Sequence, residues 1–571
     1  MTALGRARPR MVGAPFSAML ARMEEKIRKA VEEALAKAGV GGATYTVERP
    51  SDLSHGDYAT NAAMAAAKIA GRNPRELADS LVLTIQDALG ADASRVEVAG
   101  PGFINITLSK AAVAFAVDEA GAQGEAWGKN EHEKGKRVLI EYSNPNAFKE
   151  MHAGHLVGTI IGESLSRLID NEGATLARDT FGGDVGPNVA KALWALRKHG
   201  VTEPESAKQI GDAYAEGSKA YEDDPKAKEE IDALNQAIYA GKDEAVMDLW
   251  HRGREISMDA FRRTWKMLGT HFDFELFDSD TTETGVRVVR DGLATGIFKE
   301  SDGAIVYDGE PKGVHTMVFI TSKDTPTYEA KDIGLAFLKE ERWPSNEVII
   351  LTGNEQTGRF RTVLAALGDI NAGLAAKMKH VATGFLTLTS GKMSSREGNV
   401  ITANDVLAGV MQKASEKNDD PLITEQVAVG AVKFMVLRQA PGSDIVFDPE
   451  KSLSLEGDSG PYLQYALVRA LKLLAYESED AGGAEEPAEP YAIERVILHY
   501  PEVAARAAKE LAPNLLVTYL LELASAWNSF YASEQVLGSP EEAYKLKVAR
   551  AFANTMANGL NLLGIPAPER M

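Results

Sequence analysis

The sequence predicts a multidomain α/β protein: a parallel-sheet core, a small α+β domain ahead of it and an all-α bundle behind it. Three observations carry the prediction. Residues 137–405 alternate apolar, strand-like runs with helical patterns, as parallel sheets do. Within them, Arg137–Ile169 passes from a short apolar run (Val138, Leu139, Ile140) through a Ser143-Asn144-Pro145 break into an amphipathic helix from about His155. From 406 onward helical periodicity takes over.

Composition sets the outer limits. A chain of 571 residues holds three or four domains, each able to bury its own core. The formal net charge of −20 argues against indiscriminate nucleic-acid binding, so DNA is not an expected partner. It leaves tRNA open, because phosphate contacts depend on local lysine and arginine clusters. Having no cysteine, the chain fits a reducing cytosol and excludes thiol catalysis, disulfides and zinc–thiolate sites. No apolar run approaches the roughly 20 residues that span a bilayer, so no membrane partner is expected.

In chain order, residues 1–16 (Arg6, Arg8 and Arg10 around Pro9) are basic without a secretory apolar core and read as a disordered arm. Residues 17–118 read as the small α+β domain. Leu20, Met23, Ile27, Val31 and Leu35 mark a helix closed by Gly39. Further helices are expected near Ala62–Ala70 and Pro74–Leu89, with strands at Thr44–Val47, Val96–Val98 and Phe103–Leu108. Residues 119–136 are polar and read as a linker. Strand candidates of the core are Val138–Glu141, Ala174–Thr180, Val314–Ile320, Glu347–Thr352 and Val381–Leu388. Residues 201–260 are long, charged and helical, an insertion bridging the two sheet halves; their charge run, Tyr221–Ile231, reads as a solvated face. In the bundle, residues 406–571, Gly460-Pro-Tyr-Leu-Gln-Tyr465 opens a helix and residues 477–490 form an acidic, flexible loop. Helices follow near Ala492–Leu511, Asn514–Tyr531 and Glu541–Leu563.

The chemistry gathers at two stretches. Between the first core strand and its helix stand Lys149, His152, Gly154 and His155. A helix N-terminus offers free N–H groups and a positive dipole end to a polyphosphate. Two imidazoles at i, i+3 can bond phosphate oxygens, and Gly154 admits a flat base to the backbone. Taken alone, the pair could equally be two satisfied structural histidines. A metal site would need a third and fourth ligand, and none is proposed among ten histidines and no cysteine. The second stretch, Ser390-Gly-Lys-Met-Ser-Ser-Arg-Glu-Gly-Asn399, is glycine-flanked and hydroxyl-rich, a mobile loop over a nucleotide or else a solvated turn.

Together, HAGH after a first strand and KMSSREGN some way downstream resemble the two signatures of class I aminoacyl-tRNA synthetases. The segment EYSNPNAFKEMHAGHL, the pair Tyr328 and Asp332 in TYEAKDIG, and Gln356 in TGNEQ are similar to the active site of arginyl-tRNA synthetases. SHGDYATNAAM with AGPGFINI resembles that family's additional N-terminal domain, GPYLQY the start of its anticodon-binding region, and LLGIPAPERM its ending. The resemblance covers residues 17–571 and implies a Rossmann-like nucleotide-binding sheet.

By that resemblance, ATP meets His152, Gly154, His155, Lys392, Met393, Ser394 and Ser395, with Mg2+ carried on its phosphates. Lys149, His152, His155 and Lys392 serve catalysis. L-arginine meets Glu141, Ser143, Asn146, His152, Tyr328, Asp332 and Gln356. A guanidinium needs carboxylates aimed bidentately at it, since a point-charge partner could not separate it from lysine. The tRNA for arginine meets Asn61 and Phe103 at its elbow, and Tyr465, Tyr531 and Met571 at the anticodon. On the residues alone, Asn61 could be a cap, and Phe103, Tyr465 and Tyr531 core. The family implies a cytoplasmic enzyme, here a monomer, in which tRNA precedes the first step. Three departures stand out. Ser395 occupies the place of the loop's second lysine, for which Lys149 substitutes; GGDVGP (Gly182–Pro187) keeps Asp184 but lacks a tryptophan; Val157 stands where arginine is frequent. Other nucleotidyltransferases would not need the helical C-terminal region, and a non-catalytic paralogue would be expected to lose His152, His155 or Lys392.

Overall fold

Five parallel strands build the core of the computed structural model, which describes residues 21–50, 52–388, 401–476 and 485–571. Across the sheet the order is Met378–Thr383, Glu347–Gly353, Arg137–Glu141, Thr175–Gly182, Phe274–Phe277. Val138, Leu139 and Ile140 are buried in the central strand, which pairs on one side through Ile350↔Glu141 and on the other through Glu141↔Asp179. From this strand the chain adds two neighbours on one side, then crosses to add two on the other. The C-terminal ends of Arg137–Glu141 and Glu347–Gly353 therefore flank the topological switch point, where parallel sheets open a crevice for ligands.

Four expectations are corrected. Val314–Ile320 does not enter the parallel sheet: Met317–Ile320 pairs antiparallel with Ala304–Tyr307, in a three-stranded sheet completed by Lys299–Ser301. Its Phe319 and Tyr307 pack on the Asp278–Ala294 and Tyr328–Arg342 helices, which supply the apolar face it needs. The fifth parallel strand is Phe274–Phe277, too short to have stood out. Val381–Leu388 is two strands. At Gly384 a Cβ would lie 1.9 Å from Ser443 O, and beyond this close approach Leu386–Leu388 pairs with Ile445–Phe447. The stretch after 406 thus contains a strand among its helices. Finally, the insertion joins two neighbouring strands on one side of the sheet rather than its two halves. Its helices Ala207–Asp223, Pro225–Ala240 and Glu244–Met267 share a core with Pro187–Lys198 through Leu193, Ile210, Ile231 and Trp250. The charge run is exposed as expected, apart from Ala227 and Ile231 and a half-buried Tyr221.

The described residues fall into two compact units, one of residues up to Asn130 with 466–506 and 519–559, the other of 131–465, 507–518 and 560–571. In the first, a four-stranded antiparallel sheet orders Val47–Glu48, Tyr58–Thr60, Phe103–Leu108, Ala93–Ala99. Helices Ala21–Lys37, Ala62–Ala70 and Pro74–Leu89 complete an α+β domain. The expected linker begins later than residue 119, because the Lys110–Gln123 helix runs into it. The same unit holds helices Pro513–Ser533 (from residue 519) and Glu542–Leu562 (to residue 559), where Trp527 stacks on Phe552 at 4.4 Å. No helix among the described residues is long and apolar enough to cross a membrane. The basic arm, part of the acidic loop, and Lys392, Met393, Ser394 and Ser395 lie outside the described residues.

Candidate active site

The break after the central strand is built to bring two imidazoles onto one helix end. Ser143, Asn144 and Phe148 take positive φ (73°, 51°, 65°), which turns the chain sharply. Asn144 can sit there because its side chain bonds locally, its Nδ2 to Glu141 Oε1 at 2.8 Å and its Oδ1 to the Phe181 N–H at 2.9 Å. The Ala153–Asn171 helix then starts on His152 as N-cap. Its Nδ1 accepts the Gly154 N–H at 3.1 Å, while His155 Nδ1 accepts the His152 N–H at 3.2 Å. Both rings therefore carry their proton on Nε2 and keep that N–H as a donor. They stack with centroids 3.6 Å apart. Burial, then Lys149, holds His152 below its ordinary pKa; burial, then His152 and Lys149, holds His155 well below. The pair is neutral.

This overturns the expectation that free backbone N–H groups await a phosphate. Gly154 N–H serves His152, and Ala153 N–H donates to Ile401 O at 2.9 Å. Ala403 N–H closes the bridge on Met151 O at 2.7 Å, so the stretch following the second signature is pinned to the first. The donors on offer are imidazole N–H groups and the Lys149 ammonium. That ammonium lies 4.3 Å from the Tyr214 ring centroid, held by a helix of the insertion. Gly154 is required in this geometry because a Cβ would meet His152 Cε1 at 2.9 Å.

Deeper in the crevice lie the acids. Glu141 is buried and accepts from Lys339 Nζ, which also meets Asp179 at 3.1 Å. Burial alone would lower Lys339; Asp179 and Glu141 outweigh it and hold it raised. Asp332 faces the same crevice one turn after Tyr328, its Oδ2 accepting from Arg359 Nη1. Burial pushes the Asp332 carboxyl up to about 6, Arg359 pulling against this and Glu141 adding to it. Gln356 Oε1 accepts from Arg359 Nε at 2.8 Å.

The structure thus brings Glu141, Asp332 and Gln356 to one place and Lys149, His152 and His155 to another, at the ends of adjacent strands. Tyr328 is 53% exposed, with the Lys331 ammonium 5.2 Å from its ring centroid. Ser143 is buried with its hydroxyl between Trp265 Nε1 and Thr159 Oγ1, each at 2.9 Å, holding the turn. Asn146 Oδ1 accepts the Gly183 N–H at 3.1 Å. Asp184 is enclosed by Arg254 and Ser279, and Trp250 Nε1–H donates to its carbonyl, so an insertion tryptophan reaches this segment. Lys339, Asp179, Tyr214 and Arg359 were missed. Lys339 carried a signal, since it lies two turns after Asp332 on the same helical face.

In the first unit, Asn61 Oδ1 accepts the Thr46 N–H at 2.8 Å, and Phe103 is half-buried at the start of its strand. Tyr465 and Tyr531 are 39% and 38% exposed; Arg469 lies 4.2 Å above the Tyr531 ring. The stretch ending at Met571 is pinned by Lys433 Nζ to Gly564 O (2.5 Å), Gln464 Nε2 to Pro566 O (2.8 Å) and Arg570 to Asp420 (2.8 Å).

Three family models match in succession: "Arginyl tRNA synthetase N terminal domain" over residues 25–108, "tRNA synthetases class I (R), catalytic domain" over 116–448, and "DALR anticodon binding domain" over 463–571. The chain is similar to the arginine–tRNA ligase of Treponema pallidum subsp. pallidum, at 30% identity over 93% of this chain and 96% of the relative. It is equally similar to that of Limosilactobacillus reuteri, at 30% over 96% and 100%. The solved arginyl-tRNA synthetase of Thermus thermophilus superposes with a TM-score of 0.80 at 26% identity, covering 96% of this chain and 100% of that one.

Proposed function

The chain belongs to the class I arginyl-tRNA synthetases, and on that premise we propose how its own residues divide the work. The enzyme ligates L-arginine to tRNA at the expense of ATP. Arginine's carboxylate attacks the α-phosphate to form arginyl-adenylate and release pyrophosphate; the terminal ribose hydroxyl of the tRNA then takes the arginyl group and AMP leaves. One observation carries the residue assignment. Acceptors matched to a guanidinium and neutral donors matched to phosphate stand on opposite lips of one switch-point crevice.

Asp332, Gln356 and Glu141 hold the guanidinium, with Tyr328 at the rim and Asn146 and Ser143 supporting the backbone end. His152 and His155 donate from Nε2 to the triphosphate. A neutral imidazole stabilises charge developing in the transition state without having bound a proton first. Lys149, steered by Tyr214, and Lys392 add positive charge. Gly154, Met393, Ser394 and Ser395 border the nucleotide. Mg2+ would neutralise phosphate charge when it travels on ATP. Asn61 and Phe103 contact the tRNA elbow, and Tyr465, Tyr531 and Met571 the anticodon. We place the enzyme in the cytoplasm as a monomer. ATP–pyrophosphate exchange with each of the twenty amino acids, with and without tRNA, is the test: exchange confined to arginine supports the reading, and exchange driven by any other amino acid overturns it.

A further inference from the structure

Arg359 is the third residue of the Thr357–Ile370 helix, and its guanidinium is already engaged with the arginine-side acceptors. Nη1 donates to Asp332 Oδ2 and Nε to Gln356 Oε1 at 2.8 Å. Its side chain is 20% exposed and that of Asp332 10%, so the pair is largely shielded from water. Glu141 acts electrostatically on both partners. Glu141 keeps Lys339 as its partner, but without Arg359 the shielded Asp332 carboxylate would lose its ion pair while still feeling the Glu141 charge, a costly arrangement. The chain's own guanidinium removes that cost with the donor geometry a substrate arginine would bring.

A second guanidinium would compete with the first for Asp332 Oδ2 and Gln356 Oε1, and the two charges would repel each other. We propose that Arg359 is an internal occupant of the arginine subsite, holding Asp332 and Gln356 until substrate arginine takes them over. The proposal rests on the preceding assignment of Asp332 and Gln356 to the substrate side chain. Glu329, buried one turn before Asp332 on the same helix, also acts on the Arg359 charge and offers the displaced group a second carboxylate. The exchange also sharpens selection. An entering lysine presents a compact, strongly hydrated ammonium that cannot replace a planar fork, whereas arginine replaces like with like.

The apparent affinity of a ligand falls by the fraction of protein whose site is open. Calorimetric titration of the full chain with L-arginine and with L-lysine, for wild type, Arg359→Ala, Arg359→Gln and Asp332→Asn, tests the proposal, thermal melts checking that each variant is folded. Both Arg359 variants should bind arginine roughly tenfold more tightly, with lysine gaining more than arginine. Guanidinium ion added at a few millimolar should return the Arg359→Ala protein toward wild-type affinity by refilling the vacated acceptors. The proposal is overturned if the two Arg359 variants bind arginine as wild type does. It is equally overturned if they bind it more weakly and added guanidinium strengthens binding, because Arg359 would then be aligning Asp332 for the substrate. Asp332→Asn reports separately: unchanged arginine binding there sinks the subsite assignment itself, while lost binding there keeps that assignment whatever Arg359 does.

Discussion

At the residue scale, protonation and donor direction decide what each group can do. His152 and His155 accept backbone N–H groups on Nδ1 and are held neutral by burial and by Lys149. Replacing either by alanine should slow adenylate formation by roughly 10²–10³-fold, the scale of losing one transition-state donor, as read by single-turnover pyrophosphate release. Wild-type rates in both variants would remove the imidazoles from the chemistry. Asp332→Asn should cost roughly 2–4 kcal/mol in transition-state binding of arginine, with ATP affinity little changed. The pH dependence follows from its carboxyl, raised from 3.8 to about 6 by burial first. A folded-state value above the unfolded one means that its contribution to stability is full below about 3.8 and lost as pH rises through about 6. Arginine binding runs the other way, because the guanidinium needs the ionised carboxylate. The arginine KM should therefore climb as pH falls below about 6, while single-turnover chemistry at saturating arginine stays flat there. A KM flat from pH 5 to 7 would place the binding carboxylate elsewhere.

Elements act by holding those residues from outside the sheet. The insertion helix Ala207–Asp223 carries Tyr214 against Lys149, and it packs on Pro187–Lys198 at Gly217, where a Cβ would fall 2.1 Å from Lys191 O. Gly217→Ala must push the two helices apart, at roughly 1–3 kcal/mol. A lower melting temperature should come with slower adenylate formation and an unchanged arginine KM, since the arginine acceptors lie on other elements. An arginine KM that moved with the melting temperature would show that the insertion supports both halves of the site. Beside the histidines, Thr402 caps the Ala403–Ser415 helix, its Oγ1 accepting the Asp405 N–H at 3.0 Å. Thr402→Ala should cost about 1 kcal/mol and loosen the bridge that fastens Ile401–Ala403 to the histidine segment.

At the scale of the whole molecule, the proposed tRNA contacts are tested by their effect on charging. Tyr531 is partly exposed beside Trp527 and beneath Arg469. Base stacking on such a ring is worth roughly 1–3 kcal/mol. Tyr531→Ala should raise the tRNA KM by about tenfold or more while arginine and ATP binding hold. Deleting 569–571 removes the exposed Arg570–Asp420 pair, which solvent screens and which adds little to folding. A rise in tRNA KM without a drop in melting temperature would assign those residues to tRNA rather than to packing. If both variants charge tRNA with unchanged KM, the anticodon is read elsewhere.

Much of this was legible along the chain because it depends on local periodicity. The run of Val138, Leu139 and Ile140, the break at Ser143-Asn144-Pro145 and the helix beyond it are local patterns, and their residues named both the switch-point lip and its histidines. Helices Ala62–Ala70 and Pro74–Leu89 match their expected bounds because their apolar spacing and glycine ends are local too. Short strands escaped: Tyr58–Thr60 and Phe274–Phe277 are 3 and 4 residues long and gain their identity from their neighbours. Met317–Ile320 has the same apolar look as a parallel strand, and only its hairpin partner sends it to another sheet. The sequence by itself determined the family, the order of its parts and the residue types at the site. Tertiary structure alone decided that the helix-end N–H groups are already used, that Lys339 lies between two buried acids, and that Arg359 stands on Asp332 and Gln356. Those are contacts between residues distant in the chain, and their energies come from burial and charge pairing that no local pattern encodes.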